Sequence, residues 1–378
     1  MIDFGLSDEQ EALQRAAREF LAGECPPSLV RETAKTPDGV PRALFRKIAE
    51  QGWLGLAVPE KFGGLGLHTL DLALVLEEAG RAALPGPFLA TQLVIAALVH
   101  AGSTAQKKTW LPRLAAGEAF AALAYLEEGD RQDPAGVQVT AKRTRDGWQL
   151  AGTKLFVLDA PAADVLLVAA RTKKGEGAAG VSLFLVERAT PGVKVLPQET
   201  MDLTRRVGEV VLRNAVVPRD ALVGTDGAGW PVLARLLDLA CVGIAADSLG
   251  GAERALEMAV TYAMTREQFG RKIGSFQAMK HIAAEIVADV APATSLVWWA
   301  AWMQDRGGKD AARAAAMAKA SLGDVASRTT RRAVEMHGGI GFTWEHDLHL
   351  WFKRAHMSEL LFGAPPFHRE RLAVLAGW

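Results

Sequence analysis

The most informative segment of this chain reads Tyr262-Ala263-Met264-Thr265-Arg266-Glu267-Gln268-Phe269-Gly270-Arg271-Lys272-Ile273-Gly274-Ser275-Phe276-Gln277. An arginine and an aromatic residue stand at the end of one predicted helix, and a glutamine opens the next. Arg266 can offer a bidentate fork to a phosphate, and Phe269 can stack against a planar ring. We therefore consider two interpretations: an exposed loop that binds an anion and a ring, or a helix–helix turn with solvated charges.

Long helices follow this segment. Ser275 is a candidate N-cap for a helix whose apolar side chains recur at helical spacing. These side chains are Met279, Ile282, Ala283, Ile286, Val287 and Val290. A further helix is predicted over residues 310–336, about 40 Å long at 1.5 Å per residue. It ends at Gly338-Gly339, because glycine accepts the left-handed C-cap conformation.

The middle third of the chain has the pattern of short strands. Segments rich in valine, leucine and phenylalanine alternate with turn signals such as Asp146-Gly147 and Pro191-Gly192. The predicted strands span residues 148–150, 154–158, 165–170, 181–186 and 209–212. Short strands at this spacing favour an antiparallel sheet or a small barrel.

The N-terminal third is helical again. Ser7 and Gln10 have the spacing of a capping box, and further helices are predicted over 43–52, 69–80 and 89–102. The fold class is therefore α+β, with an N-terminal helical domain (1–120), a middle antiparallel β domain (121–226) and a C-terminal four-helix bundle (227–378). Clefts between such layers are favoured places for cofactors.

Composition excludes several classes of function. The 43 basic residues balance the 43 acidic ones, so no net field attracts nucleic acid. Two cysteines cannot build a disulfide framework, which fits a reducing compartment. The first ten residues have neither the basic nor the apolar region of a signal peptide, and the apolar run at 88–99 is too short to cross a bilayer. We therefore expect a cytoplasmic protein that contacts neither membrane nor nucleic acid.

Three other features have ordinary structural explanations. The spacing of Glu345, His346 and His349 loosely resembles that of metal ligands, but such histidines on an amphipathic helix are more often packed or solvated, so no metal is predicted. The glycines of 63–66 lack the preceding strand and following lysine of a phosphate loop, which favours a turn. The aromatic stripe at 298–303 is predicted to lie in the bundle core or at a subunit interface.

Four motifs, in this order along the chain, resemble those of the acyl-CoA dehydrogenase family. They are Gly55–Gly66, Trp110–Glu118, Arg266–Gln277 with the pattern Arg-x-x-Phe-Gly-x-x-Ile-x-x-Phe-Gln, and His337–Leu350. The resemblance covers nearly the whole chain. It implies the three-domain fold given above, an oligomer, FAD as cofactor and an acyl-CoA substrate. Members remove the α and β hydrogens of the thioester and pass electrons to an electron-transferring flavoprotein.

The resemblance also identifies where the catalytic carboxylate should stand. Most members place this base after the C-terminal signature, at the position of Phe362 in this chain. A minority place it on the helix before the central signature, at the position of Ala240, followed by an arginine where this chain has Cys241. Phenylalanine and alanine cannot take a proton, so no catalytic base is predicted at either position.

Of the FAD contacts implied by the resemblance, those to the ADP half are mostly retained and those to the flavin ring are not. Two family threonines that hydrogen-bond the flavin ring correspond to Leu126 and Leu158, which offer no donor. Residues that hold the ADP half of the neighbouring subunit's FAD in the family dimer are retained. They are Arg266, Phe269, Gln277 and Gly339, with Glu335 in place of the usual glutamine.

This asymmetry resembles the non-catalytic subunit of heteromeric α2β2 acyl-CoA dehydrogenases from bacterial steroid side-chain degradation. In that arrangement a homologous subunit supplies the base. Two alternatives stay open at this point. One is a homomeric flavoenzyme with a displaced base, for which the candidates are Asp238, Asp247 and Glu359. The other is a flavin-free scaffold that binds acyl-CoA.

Overall fold

Helices build the first third of the chain in the computed structural model, which describes residues 5–378. The predicted capping box is confirmed: Gln10 N donates to Ser7 Oγ (3.3 Å), and Ser7 N donates to Gln10 Oε1 (3.1 Å). Residues 1–4, which belong to the segment predicted not to be a signal peptide, lie outside the described residues. The helices are α1 (Asp8–Glu24), α2 (Pro27–Thr33), α3 (Arg42–Glu50), α4 (Thr69–Arg81), α5 (Phe88–Ala101) and α6 (Thr104–Ala115).

A mixed sheet forms the middle domain, with the strand order β6-β7-β3-β2-β4-β5-β8 and β1 beside β4. The antiparallel prediction is right for most pairs, but β1 and β2 run parallel to β4. The segments 148–150 and 154–158 form one strand, bulged where it pairs with β7. The strands are β1 (Ala121–Ala124), β2 (Thr140–Arg143), β3 (Gly147–Leu158), β4 (Val165–Arg171), β5 (Val181–Glu187), β6 (Val193–Gln198), β7 (Val207–Pro218) and β8 (Leu222–Val223).

The two faces of this sheet serve two different cores. Side chains alternate between the faces of a strand, so on β4 Val165, Leu167 and Ala169 join the large core shared with the helices. Leu166 and Val168 point the other way, into a smaller core of the β domain that includes Trp148. The sheet is therefore packed on both sides, and one side is continuous with the helical domains.

Five helices form the C-terminal domain, and α9 lies at its centre. It packs against α7, α8 and α10, which gives the predicted bundle of four, and α11 adds a fifth helix on α9. Ser275 does not cap α8: its hydroxyl donates to Lys272 O (2.7 Å), and α8 begins after Phe276. The helices are α7 (Trp230–Thr265), α8 (Gln277–Arg306), α9 (Gly308–His337), α10 (Leu348–Leu360) and α11 (Pro365–Ala376), and a short hairpin of β9 (Glu267–Gln268) and β10 (Arg271–Lys272) joins α7 to α8.

Glycines bring the N-terminal and C-terminal helical domains into close contact. A Cβ atom added at Gly80 of α4 would lie 1.9 Å from the carbonyl oxygen of Asp247, and one added at Gly250 of α7 would lie 1.8 Å from that of Glu77. Any side chain at either position would force α4 and α7 apart. This contact fixes α7, which carries several of the predicted site residues, against the N-terminal domain.

One helix of the described chain, α8, is long and apolar enough to cross a membrane by length and composition alone. A single helix of this kind is weak evidence for a membrane span, because bundle helices have the same composition. Here α8 packs against α7 and α9. Only 22% of its most apolar window is buried, however, so much of its apolar surface faces outward.

Candidate functional site

The two positions where the family resemblance expects a carboxylate lie side by side. Phe362 stands in the loop between α10 and α11, while Ala240 and Cys241 are on α7. The Cys241 Sγ is 3.9 Å from the carbonyl oxygen of Phe362. Phe362 is 8% exposed and Ala240 fully buried. Both positions therefore lie in one buried region, which we call the base pocket, and neither carries a carboxylate.

An aromatic pair fills the base pocket. The ring of Phe362 stacks on Tyr125 with centroids 6.1 Å apart and planes 11° from parallel. Tyr125 directly precedes Leu126, the residue at the first of the two positions to which the resemblance assigns a flavin contact. The ring of Phe362, which stands at the base position, thus packs against the loop that would face the flavin.

Hydrogen bonds hold the loop that carries Phe362. The ammonium group of Lys319, on α9, donates to Glu359 O (2.9 Å) and Gly363 O (2.8 Å). His368 Nε2 donates to the carbonyl oxygen of Phe362 (2.9 Å). Phe362 itself has φ +59°, a left-handed conformation that costs a non-glycine residue about 1–3 kcal/mol. These bonds offset that cost and fix the direction of the ring.

The titratable groups around Phe362 are poor proton acceptors at pH 7, because three of them are already protonated and His368 is a weak base. Burial raises the pKa of the Cys241 thiol to about 12 and raises the pKa of Tyr125 above its usual range. It lowers the pKa of His368 to about 4 and that of Lys319 to about 8. At pH 7 the thiol and the phenol are neutral, His368 is neutral, and Lys319 is a cation. The side chains that contact Phe362 therefore supply no carboxylate base.

Asp247, one candidate for a displaced base, is bound on both oxygens. Arg354 donates to Oδ1 (2.5 Å) and Oδ2 (3.0 Å), and Arg205 lies 2.5 Å from Oδ2. Burial pushes the pKa of Asp247 upward, but the two guanidinium groups outweigh burial and hold the pKa below its usual range. A carboxylate with both oxygens engaged by buried arginines is a poor proton acceptor.

The other two candidates also have structural partners. Asp238 pairs with Arg371 of α11 (2.6 Å), and burial raises the pKa of its carboxyl group. The side chain of Glu359 lies along α9, since a Cβ added at Gly323 would be 3.8 Å from Glu359 Cγ. Neither carboxylate makes a contact with Phe362 among the interactions of the described residues.

Both leucines that replace the flavin-binding threonines are part of the hydrophobic core. Leu158 is buried and Leu126 is packed against the same core. The neighbouring Glu127 is also engaged: it accepts hydrogen bonds from Val139 N (3.0 Å) and from the fully buried Lys154 (2.6 Å). Lys154 also donates to Tyr125 O (3.0 Å). The loop is therefore well fixed but presents no side-chain donor at the two threonine positions.

The Arg266–Gln277 segment is a hairpin rather than an irregular loop. Phe269 (φ +54°) and Gly270 (φ +76°) form its turn between β9 and β10, the backbone geometry of a type I′ turn. The Phe269 side chain is 93% exposed, and Arg271 lies over the ring of Phe276 at 4.0 Å. An aromatic residue is thus held in a strained conformation with its ring in solvent.

The remaining predicted FAD contacts lie at the neighbouring end of α9. The ring of Tyr262 stacks on His337 at 4.7 Å, which brings the hairpin and the segment after α9 side by side. Gly339 has open space around it, with no atom within 4 Å of an added Cβ. Glu335 is exposed and bonded to Arg332 (3.0 Å). Arg266, Phe269, Gln277, Glu335 and Gly339 are all exposed.

The histidines that loosely suggested a metal site have separate neighbours. The His346 ring contacts His337 (4.6 Å), whereas the His349 ring contacts Trp344 (4.9 Å). Within residues 5–378, no group of three or more histidine, cysteine, aspartate or glutamate side chains is arranged to hold a metal ion.

Profiles of three domains match the chain in order. They are the acyl-CoA dehydrogenase N-terminal domain over residues 7–118, the middle domain over 122–215 and the C-terminal domain over 227–374. The chain belongs to the acyl-CoA dehydrogenase family. The domain boundaries predicted at 120/121 and 226/227 stay predictions.

Relatives and solved structures in the acyl-CoA dehydrogenase family match over almost the full chain. Acryloyl-CoA reductase (NADH) of Anaerotignum propionicum is 32% identical over 98% of this chain and 95% of its own. Acyl-CoA dehydrogenase IpdE2 of Mycolicibacterium smegmatis is 32% identical over 98% of both chains. A variant of the Tcur3481-Tcur3483 steroid ACAD has a TM-score of 0.88 at 30% identity, again over 98% of both chains. PigA with FAD and proline has a TM-score of 0.92 at 28% identity, over 100% of this chain and 99% of its own.

FAD is the cofactor of the acyl-CoA dehydrogenase family, and the residues of this chain fit one half of it. The exposed guanidinium of Arg266 has no ion-pair partner in the described part of the chain, and it suits a pyrophosphate. The open backbone at Gly339 permits close approach of a ligand. At the flavin-ring end, Leu126 and Leu158 offer the ring no side-chain donor. The fit is good for the ADP half and poor for the ring.

Sequence reasoning missed the residues that hold the acyl-CoA dehydrogenase site in shape. Lys154, Lys319 and the Asp247 pair with two arginines are buried ionic groups. One signal was available for Lys319, which stands among the alanines of the stripe that α9 buries. Tyr125 gave no signal, because Phe362, on which its ring stacks, is far away in sequence.

Proposed function

We propose that this chain is the subunit without a catalytic base in a heteromeric, FAD-dependent acyl-CoA dehydrogenase. The reaction is the α,β-dehydrogenation of a bulky acyl-CoA thioester. The observation that carries the proposal is the base pocket: Phe362 and Ala240 occupy both base positions, and the Phe362 ring stacks on Tyr125 within it. A base pocket occupied by this stacked aromatic pair has no carboxylate that could take the α-proton.

The exposed FAD contacts give this chain a role in the complex. Arg266, Gln277 and Gly339 are directed to solvent rather than to the chain's own interior. Phe269 is held in a costly left-handed conformation with its ring exposed. We propose that these residues bind the ADP half of an FAD whose flavin ring lies in the partner subunit.

Exposed apolar side chains lie around these FAD-contact residues. We call them the partner face and define it as Met264, Phe269, Ile340, Phe342 and Trp344. Phe342 is 76% exposed and Phe269 is 93% exposed, and large exposed apolar patches mark interaction sites. The occupant that we propose is a homologous acyl-CoA dehydrogenase subunit. The arginine-rich hairpin beside the face suits the pyrophosphate that such a subunit would bring, and the outward apolar surface of α8 suits further subunit contact.

The relatives support the substrate class and the assembly. IpdE2 is named an acyl-CoA dehydrogenase, and the Tcur3481-Tcur3483 protein is named a steroid ACAD with two designations. By analogy, we propose a steroid-derived or similarly bulky acyl-CoA, a heterotetramer and a cytoplasmic location. An electron-transferring flavoprotein is the proposed electron acceptor.

The division of labour in this complex balances protons and electrons. A carboxylate of the partner would take the α-proton of the thioester, and bound FAD would supply the acceptor for the β-hydrogen and its electron pair. The electron pair left by the α C–H bond forms the new C=C bond. This chain holds the ADP half of the cofactor at Arg266 and closes the subunit interface.

Native mass spectrometry with flavin quantification tests the proposal on tagged protein purified from its own host. We expect two different chains near 40 kDa and one FAD for each pair of chains. One FAD per chain in a homomer would instead support the displaced base. A flavin-free homomer that binds acyl-CoA would support the scaffold.

A matched pair of variants tests the role of the hairpin. Arg266→Gln should weaken FAD binding to the complex about tenfold or more, because a charge-assisted contact to phosphate is lost. Arg15→Gln, a change at an exposed arginine of α1, should leave FAD content unchanged. Equal FAD retention in the two variants would count against the ADP-binding role.

Restoring a carboxylate tests the missing base. Ala240→Glu should give no dehydrogenation in the homomer, because the flavin-ring contacts at Leu126 and Leu158 are still absent. The panel of substrates should span short, long and ring-containing acyl-CoA thioesters with a dye acceptor. Substantial turnover by this variant alone would refute the proposal that the chain cannot build its own site.

A further inference from the structure

A cavity lies apart from the base pocket. It has a volume of about 320 Å³ and opens between α4 and α5 of the N-terminal domain and α7 and α8 of the C-terminal domain. This volume is at the lower end of the range of small-molecule pockets. Much of its wall is apolar, formed by Leu72, Ala96, Val99, Val232, Leu236 and Leu239.

The position of the cavity on α7 separates it from the base pocket. Val232, Arg235, Leu236 and Leu239 line it from one face of this helix. The centre of that face is about 90° around the helix from Ala240, at 3.6 residues per turn. A ligand in this cavity would therefore not lie on the face that carries the base position.

A buried acceptor on the cavity wall has no donor. Gln92 of α5 is 1% exposed, and its Nε2 donates to Leu54 O (2.9 Å). Its Oε1 has no hydrogen-bond partner among residues 5–378. Buried side-chain acceptors are nearly always satisfied, so this oxygen marks a place where a ligand can donate a hydrogen bond.

The rim of the cavity carries two opposite charges, Arg235 and Asp305, and only Asp305 has hydrogen-bond donors among the described residues. Arg235 is exposed and makes no ion pair within the described chain. Asp305, on the rim as well, is already engaged, since it accepts from Thr69 Oγ1 (2.6 Å) and Thr69 N (3.1 Å). Burial and the positive charges of Arg235 and Lys107 lower the pKa of His100, so this histidine is neutral at pH 7.

We propose that this cavity binds an apolar hydroxy acid, with its carboxylate on Arg235 and its hydroxyl group donating to Gln92 Oε1. The apolar wall covers the hydrocarbon between the two ends. A cavity of about 320 Å³ is large enough for a small ligand. 8-Hydroxyoctanoate has this size and both polar ends, so it is a suitable probe.

Isothermal titration of the protein in its native assembly tests the assignment. 8-Hydroxyoctanoate should bind saturably, and tighter than octanoate, which lacks the hydroxyl donor, or 1,8-octanediol, which lacks the carboxylate. Arg235→Gln should weaken binding about tenfold, because the charge-assisted pair is lost. Arg46→Gln, at an exposed arginine of α3, is the matched control and should bind as the parent does.

Two further variants probe the interior of the cavity. Gln92→Leu should remove the preference for 8-hydroxyoctanoate over octanoate, and Ala96→Phe should abolish binding by filling the cavity. No saturable binding by the parent protein would overturn the proposal. Unchanged affinity in both Arg235→Gln and Ala96→Phe would also overturn it. These two variants are sufficient for the test if Gln92→Leu does not fold. Binding unaffected by excess acyl-CoA would support a site separate from the base pocket.

Discussion

Replacing Phe362 by glutamate is expected to destabilise the chain strongly. Phe362 is 8% exposed and stacks on Tyr125. Truncating a buried phenylalanine to alanine costs about 3–5 kcal/mol, and a stacked pair contributes about 0.5–1.5 kcal/mol beyond its buried area. Glutamate refills part of the space but brings a carboxylate into an apolar pocket. We therefore expect the free energy of unfolding to fall by about 3–4 kcal/mol at pH 8.

The charge contribution to this loss can be separated by a matched variant. Phe362→Gln has nearly the same shape without the charge. Burial should raise the pKa of the new carboxyl group above its unfolded value of about 4.3. The folded state then holds a proton that the unfolded state releases, so the stability of Phe362→Glu should fall as pH rises from 5 to 8. The glutamine variant should not show this additional fall.

Urea unfolding followed by circular dichroism at pH 5 and pH 8 measures both effects. A Phe362→Glu chain as stable as the parent would refute the filled base pocket. A difference between the glutamate and glutamine variants that does not depend on pH would refute the burial of the new charge. Turnover by the isolated Phe362→Glu chain would show that the flavin-ring contacts are not limiting.

Three further predictions concern the buried groups around the site. Asp247→Asn should lower the free energy of unfolding by about 3–5 kcal/mol, because it leaves two buried arginines without their carboxylate; a loss below about 1 kcal/mol would contradict this role. His368 is buried and its pKa is lowered to about 4, so on acidification the unfolded state binds a proton at this histidine before the folded state does. The free energy of unfolding should therefore fall as pH drops from about 6.5 to 4, by at most about 1.4 kcal/mol per pH unit from this group. The His368→Gln variant should lack that part of the acid slope, which urea midpoints at several pH values can check. Lys154→Met should lower stability by about 3 kcal/mol, because it leaves the Glu127 carboxylate without its cation. The control is Lys142→Met, at an exposed lysine of β2. Equal thermal melting temperatures of the two variants would contradict the importance of the Lys154–Glu127 pair.

Hydrophobic periodicity, capping residues and helix-breaking proline and glycine predicted most of the helices, because these are local signals. They did not predict β1, whose four residues are alanine and leucine with no β-branched side chain. That strand forms because it is buried between α5 and β4, a tertiary effect with no local trace. The hairpin of β9 and β10 was also missed, since its turn places Phe269 in a conformation that sequence statistics reserve for glycine or asparagine.

The candidate site was predictable in position but not in content. The family motifs pointed to Phe362, Ala240 and Cys241 in separate parts of the chain, and the structure places the Cys241 Sγ 3.9 Å from the carbonyl oxygen of Phe362, while the role of these positions stays a prediction. The buried ion pairs and the stacking of Phe362 on Tyr125 could not be predicted, because they join residues far apart in sequence. Such contacts depend on how the domains pack, which a single sequence does not encode locally.

The base pocket behaves as one packed unit, and this bears on how it can be changed. The Phe362 ring stacks on Tyr125, and the carbonyl oxygen of Phe362 accepts a hydrogen bond from His368. Lys319 donates a hydrogen bond to the carbonyl oxygen of the next residue, Gly363. Effects of substitutions among residues in direct contact are not additive, with coupling of about 0.5–3 kcal/mol. A glutamate at 362 alone therefore meets neighbours arranged for an aromatic ring. We expect a functional base only when Tyr125 is changed together with Phe362 and threonines are introduced at 126 and 158, and this requirement would explain the dependence on a second subunit that we propose.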